Sequence, residues 1–228
     1  AKFFENIANE NTTSSRHLII HEIMGRNCGW LTAATAFEYT QRLQKKKFVP
    51  SILANIDRWG IDALYIPELN INLEAEAIRL RKLLDQKDSI NIFLSEGACI
   101  ENIMNDMEND NKLIKRDAFG HIRLDEINPG KWFAKQFSKI VCADKVLIQK
   151  SGYFARSSKP NKKDLDLIIK TADMAVECAI NKKSGVIGLD EECNNKLTCI
   201  DFDRIRGGKP FNIKQNWFQL MHNEINNK

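Results

Sequence analysis

The stretch His21-Glu22-Ile23-Met24-Gly25-Arg26-Asn27-Cys28-Gly29-Trp30 constrains this chain most, because an apolar run stops abruptly there in Met-Gly-Arg. Leu18-Ile19-Ile20 reads as a buried strand, and residues 28–46 read as a helix. A strand-to-helix turn presents N–H groups and the positive end of a helix dipole. The glycine lets backbone approach a ligand, and Arg26 adds a charge suited to a phosphorylated substrate. An ordinary strand-to-helix turn has the same form, so this motif alone decides nothing.

Two more turns of the same kind follow. Ser95-Glu96-Gly97-Ala98 closes the apolar run 90–94, and Gly152-Tyr153-Phe154-Ala155-Arg156-Ser157 follows Val146-Leu147-Ile148. In open α/β sheets, ligands bind where the carboxyl ends of strands gather. A carboxylate such as Glu96 can accept from sugar hydroxyls, and arginines can clamp phosphoryl oxygens bidentately.

Between these turns the apolar spacing alternates. Residues 62–68 read as a strand closed by Pro67, and 73–86 carry Leu73, Ala77, Leu80 and Leu84 at helical intervals. Residues 100–111 read as an acidic amphipathic helix and 117–131 as a loop with a short strand at 121–124. Helical spacing returns at 131–141 and 163–181, and 185–189 read as another strand. The alternation predicts an α/β fold, a mostly parallel sheet with helices on both faces.

Composition excludes several function classes. At 228 residues, 43% hydrophobic and 28% charged, the chain has the make-up of a soluble globular protein. The net charge of +4 is mild and not gathered into a nucleic-acid footprint; Lys45-Lys46-Lys47 fits a helix C-terminus. No apolar run is long enough for a membrane span. The expectations are a cytoplasmic location and neither nucleic-acid nor membrane partners. Six cysteines lie scattered without a C-x-x-C pair and are expected as structural thiols, although Cys193 and Cys199 can meet across a hairpin turning at Asn194-Asn195. Asp125-Glu126 and Asp190-Glu191-Glu192 read as solvated acids, so no metal site is assigned. His121 reads as a surface or packing residue. His17 is a possible phosphate contact, and His21 is assigned to packing. Trp30, Trp132 and Trp217 are expected as core or interface anchors.

Taken together, the motifs resemble a known family. Met24-Gly25-Arg26, Ser95-Glu96-Gly97 and Tyr153-Phe154-Ala155-Arg156 are similar to the fructose 6-phosphate-binding motifs of the 6-phosphofructokinases. Asp117-Ala118-Phe119-Gly120-His121, Asn128-Pro129-Gly130-Lys131-Trp132 and Arg206-Gly207-Gly208-Lys209-Pro210-Phe211 resemble the pyrophosphate-dependent branch, and the likeness runs from the first residue almost to the last. The resemblance implies phosphoryl transfer from pyrophosphate to fructose 6-phosphate, giving fructose 1,6-bisphosphate. It implies that Met24, Gly25 and Arg26 contact the sugar phosphate, with Arg26 also stabilising the transferred group. Glu96 would bind fructose hydroxyls, and Tyr153 and Arg156 would complete the pocket. Basic residues from a neighbouring subunit often finish that pocket, which makes Arg16 or His17 candidates, with Lys150 a further one. The family's Thr-Ile-Asp-Asn-Asp and Gly-Gly-Asp motifs, which serve catalysis and hold the donor with Mg2+, do not occur in the sequence. The chain is therefore expected to be the carboxyl-terminal, sugar-phosphate-binding half of such an enzyme, inactive alone and partnered by the missing half or by further copies of itself. An ATP-dependent enzyme and a non-catalytic sugar-phosphate-binding regulatory subunit remain alternatives.

Overall fold

An apolar run such as Leu18-Ile19-Ile20 needs cover on both faces, and the computed structural model supplies it. The structure describes residues 1–49, 55–111, 116, 118, 120, 123, 127–205 and 207–227. β1 (His17–Ile23) lies between β3 (Ser89–Ser95) and β4 (Lys145–Lys150), and β2 (Ala63–Tyr65) pairs with the other side of β3. All pairings in this β2-β3-β1-β4 sheet are parallel, and every residue of β1 and β3 is buried.

Among the described residues the α-helices in chain order are α1 (Lys2–Ile7), α2 (Trp30–Gln44), α3 (Leu73–Lys87), α4 (Ile100–Asn109), α5 (Pro129–Val141), α6 (Gly152–Ser157), α7 (Lys162–Ile180) and α8 (Asn216–Asn226). Strand alternation sends Ile19, Ile23 and Phe93 to one face, where they pack with Phe4 of α1, Ala36 and Tyr39 of α2, and Phe218 and Met221 of α8. Leu18, Ile20, Ile90 and Ile92 face the other way, onto Leu80 and Leu84 of α3 and Phe133 and Phe137 of α5. The sheet is mostly parallel with helices on both faces, as the apolar spacing implies.

Residues 1–156 and 209–228 form one compact unit, which holds this sheet; residues 157–208 form a second. The second unit contains α7 and an antiparallel hairpin, β5 (Val186–Asp190) with β6 (Lys196–Ile200). This corrects the sequence reading, which counted 185–189 among the parallel strands. Its connection to the next strand is too short for a parallel crossover. The hairpin itself turns through Asn194 and Asn195, both left-handed at φ 57° and 56°. Cys199 stands opposite Ile187 rather than Cys193, and all six cysteines are free thiols.

Trp132 and Trp217 pack against the core, whereas Trp30 is 53% exposed at the first turn of α2. Of the short strand expected at 121–124 only Arg123 is described, and it carries no strand assignment; His121, Asp125, Glu126 and Arg206 lie outside the described set.

Candidate functional site

Loops leave the carboxyl ends of the three neighbouring strands β3, β1 and β4, and each carries a glycine where another loop comes close. Gly25 has φ +154°, and a Cβ there would lie 2.6 Å from both the Cys28 carbonyl oxygen and Ser95 Oγ. A Cβ on Gly97 would collide with the Arg26 carbonyl oxygen, and one on Gly152 would press on Met24 Cγ at 3.3 Å. Glycine at these positions lets three short segments share one edge of the sheet.

Hydrogen bonds hold the arrangement. The Glu96 N–H donates to the Ile23 carbonyl at 2.9 Å, continuing the β1–β3 ladder into the loops. The Gly25 N–H donates to Glu96 Oε1 at 3.2 Å, and Ser95 Oγ donates to the Gly25 carbonyl at 2.6 Å. The Ser151 N–H donates to the Glu22 carbonyl at 3.1 Å, which ties the start of α6 to the same edge. On α6, the Arg156 guanidinium lies 5.9 Å from the centroid of the Tyr153 ring, and that ring is 86% exposed. Beside the loops opens a cavity of about 760 Å³, lined by Arg26, Asn27, Asn70, Gly97, Glu101 and Arg116 among others.

The start of α2 differs from its expected role. Glu68 accepts from the Gly29 N–H through both oxygens, at 3.0 and 3.1 Å, and from the Phe211 N–H at 2.7 Å. A carboxylate of this protein therefore already sits against the positive end of α2. Anion binding at this edge falls to side-chain cations. The edge brings together a carboxylate, a group that can accept from hydroxyls, and guanidinium groups, which can meet phosphoryl oxygens.

No family model matches the chain. Over 225 residues it is 52% identical to a pyrophosphate–fructose 6-phosphate 1-phosphotransferase of Methylomonas methanica, covering 99% of this chain and 55% of that protein. A protein of the same name from Mastigamoeba balamuthi is 48% identical over 225 residues, again covering 99% of this chain and 55% of that protein. Among solved structures, a pyrophosphate-dependent phosphofructokinase from Marinobacter aquaeolei aligns at a TM-score of 0.58 and 16% identity, over 98% of this chain and 51% of the other. One from Nitrosospira multiformis aligns at 0.54 and 15%, over 90% of this chain and 43% of the other. Over almost all of its length the chain is thus similar to proteins named pyrophosphate–fructose 6-phosphate 1-phosphotransferase, and its fold is similar to that of pyrophosphate-dependent phosphofructokinases. It spans about half the length of the relatives it matches.

Six of the seven residues that resemble the phosphofructokinase sugar-phosphate site share the carboxyl edge of the sheet: Met24, Gly25, Arg26, Glu96, Tyr153 and Arg156. Arg16 is not among them. It lies just before the amino end of β1 with φ 47°, where Nη1 meets Asp85 Oδ1 at 2.7 Å, Nε donates to the Cys142 carbonyl at 2.9 Å and Nη2 to the Val141 carbonyl at 3.2 Å. His17 is buried at that same end, with Nδ1 3.1 Å from the Glu10 carbonyl. His21 packs among Phe3, Phe4 and Phe93, and burial pushes its pKa down to about 3.

Among the described residues, no group of three or more His, Cys, Asp or Glu side chains could hold a metal ion. Asp190 is taken by Arg204, whose guanidinium contacts both its oxygens at 2.8 Å. Among the described residues, then, no acidic cluster fits a magnesium centre. Among them, too, no helix is long and apolar enough to cross a membrane.

Glu22 and Glu68 are the residues that sequence reasoning passed over. Each is an acid beside an apolar strand, Glu22 within β1 and Glu68 just after β2, and that placement was the one available signal.

Proposed function

We propose that this chain is the fructose 6-phosphate-binding, carboxyl-terminal half of a pyrophosphate-dependent 6-phosphofructokinase. One observation carries the reading. The Met24-Gly25-Arg26, Glu96 and Tyr153–Arg156 loops converge on one sheet edge, with Glu96 bonded to the Gly25 N–H.

In this reading, Glu96 accepts from fructose hydroxyls with the lone pairs that Gly25 leaves it. Arg156 meets the 6-phosphate and Tyr153 covers it, while Met24, lying against Gly152, offers apolar contact to the sugar. Arg26 stands where charge builds on the transferring phosphoryl group, so its guanidinium stabilises the transition state more than the bound substrate. The base that takes the 1-hydroxyl proton lies in the other half. The hold on the donor and its magnesium would lie there too. Arg16, at the opposite end of β1 from this edge, would reach a 6-phosphate only in a neighbouring copy, so the reading includes a homo-oligomer. Six free thiols suit a reducing, cytoplasmic setting.

The test is an assay of fructose 1,6-bisphosphate formation by the full-length protein containing this chain, with pyrophosphate and separately with ATP. Turnover with pyrophosphate and not ATP is the expected result. Turnover with ATP alone would establish the ATP-dependent enzyme, and sugar-phosphate binding without turnover on either donor would establish a regulatory subunit.

A further inference from the structure

Glu22 is a charged residue inside a buried strand, 6% exposed and two residues ahead of Met24. Its Oε1 meets Lys150 Nζ at 3.0 Å, and its Oε2 accepts from the Gly130 N–H at 2.8 Å. Lys150 is its direct partner in the parallel register of β1 and β4, and the lysine side chain is 45% exposed. Gly130 lies in the first turn of α5, and a Cβ there would come within 2.7 Å of Glu22 Oε2 and 2.8 Å of Ile148 Cγ2. One carboxylate thus joins the strand that leads into Met24-Gly25-Arg26, the strand that leads into Tyr153 and Arg156, and the start of α5.

Stability alone is a poor reason for such a group. Burying a carboxylate costs several kcal/mol of hydration, and buried ion pairs are often matched by apolar side chains of similar volume. The arrangement does accomplish one other thing. An ammonium has three donors, and the carboxylate engages it from the buried side. Lys150 is thereby held at the carboxyl end of β4, the edge where the three loops gather, with donors left to face outward.

We propose that Glu22 is a positioning residue that, through Lys150, fixes a cation for the phosphoryl group of a sugar phosphate at this edge. The inference rests on the sugar-phosphate reading above. Glu22 itself touches no substrate.

The experiment is a double-mutant cycle on the full chain. Fructose 6-phosphate affinity is measured by calorimetry for wild type, Glu22→Gln, Lys150→Met and the double variant, with a melting curve for each. Glu22→Gln and Lys150→Met should each weaken binding about tenfold, the scale of one charge-assisted hydrogen bond. The double variant should be no weaker than Lys150→Met alone, since Glu22 acts only through the lysine. Additive losses, or wild-type affinity in Glu22→Gln, would overturn the proposal and leave the sugar-phosphate reading standing. Wild-type affinity in Lys150→Met would overturn it whatever Glu22→Gln does to folding. A folded wild-type chain that binds no fructose 6-phosphate would remove both.

Discussion

Gly97 shows how narrowly single residues set this site. Its missing side chain is where the Arg26 carbonyl passes, so Gly97→Ala must displace one of the two loops. The expected cost is about 3 kcal/mol, the upper range for overpacking a rigid contact, and a urea unfolding midpoint would read it. An unchanged midpoint would mean that the loops are not held together as described. His21 makes a second residue-scale prediction. Burial among aromatic rings lowers its pKa from 6.5 to about 3, and neither ring nitrogen has a hydrogen-bond partner among the described residues. Between those values the unfolded chain binds the proton and the folded chain does not. The stability His21 permits is therefore whole above its unfolded pKa and is lost as pH falls through that window, at up to about 1.4 kcal/mol per pH unit. His21→Phe should flatten the acid limb of a stability-against-pH curve. A variant as acid-sensitive as wild type would assign the effect to other groups, of which His17 and His222 are also lowered by burial.

Elements differ as sharply in how they are held. β1 and β3 are buried at every position, whereas α7 has no buried residue and exposes Ile168, Ile169, Val176 and Ile180. Local opening is cheap where few apolar groups are covered. Amides of α7 and of the β5–β6 hairpin should exchange with solvent well before those of β1 in the isolated chain; equal protection would contradict this. The same difference explains what the sequence made legible. β1 and β3 announce themselves because strands covered on both faces read as continuous apolar runs, and α3 announces itself through Leu80 and Leu84. Val186 to Leu189 reads identically, and only its short return to Lys196 separates a hairpin strand from a parallel one. α8 went unread because asparagines surround Phe218, Met221 and Ile225, its buried stripe. Within the site, Met24-Gly25-Arg26 is local and visible. Glu22 meets Gly130 across 108 positions, and no local pattern reports such a contact.

At the scale of the whole molecule, the proposed reading assigns the acceptor site of a phosphofructokinase reaction to this chain and the donor chemistry to the other half. The two halves of that task separate in kinetics. In the full-length protein, Arg26→Ala should lower kcat about a hundredfold with little change in KM, as expected for a group that meets charge in the transition state. Glu96→Ala should raise KM about tenfold and spare kcat, since its hydrogen bonds to sugar hydroxyls exist in both states. Steady-state rates of the two variants against fructose 6-phosphate decide this, and equal effects on both parameters in both variants would undo the division. The most direct test of the central claim needs only this chain: calorimetric titration with fructose 6-phosphate, repeated on Glu96→Ala. The account requires saturable binding, one ligand per chain, that weakens when Glu96 is removed. No binding at millimolar ligand by a folded chain, or binding indifferent to Glu96, would contradict it.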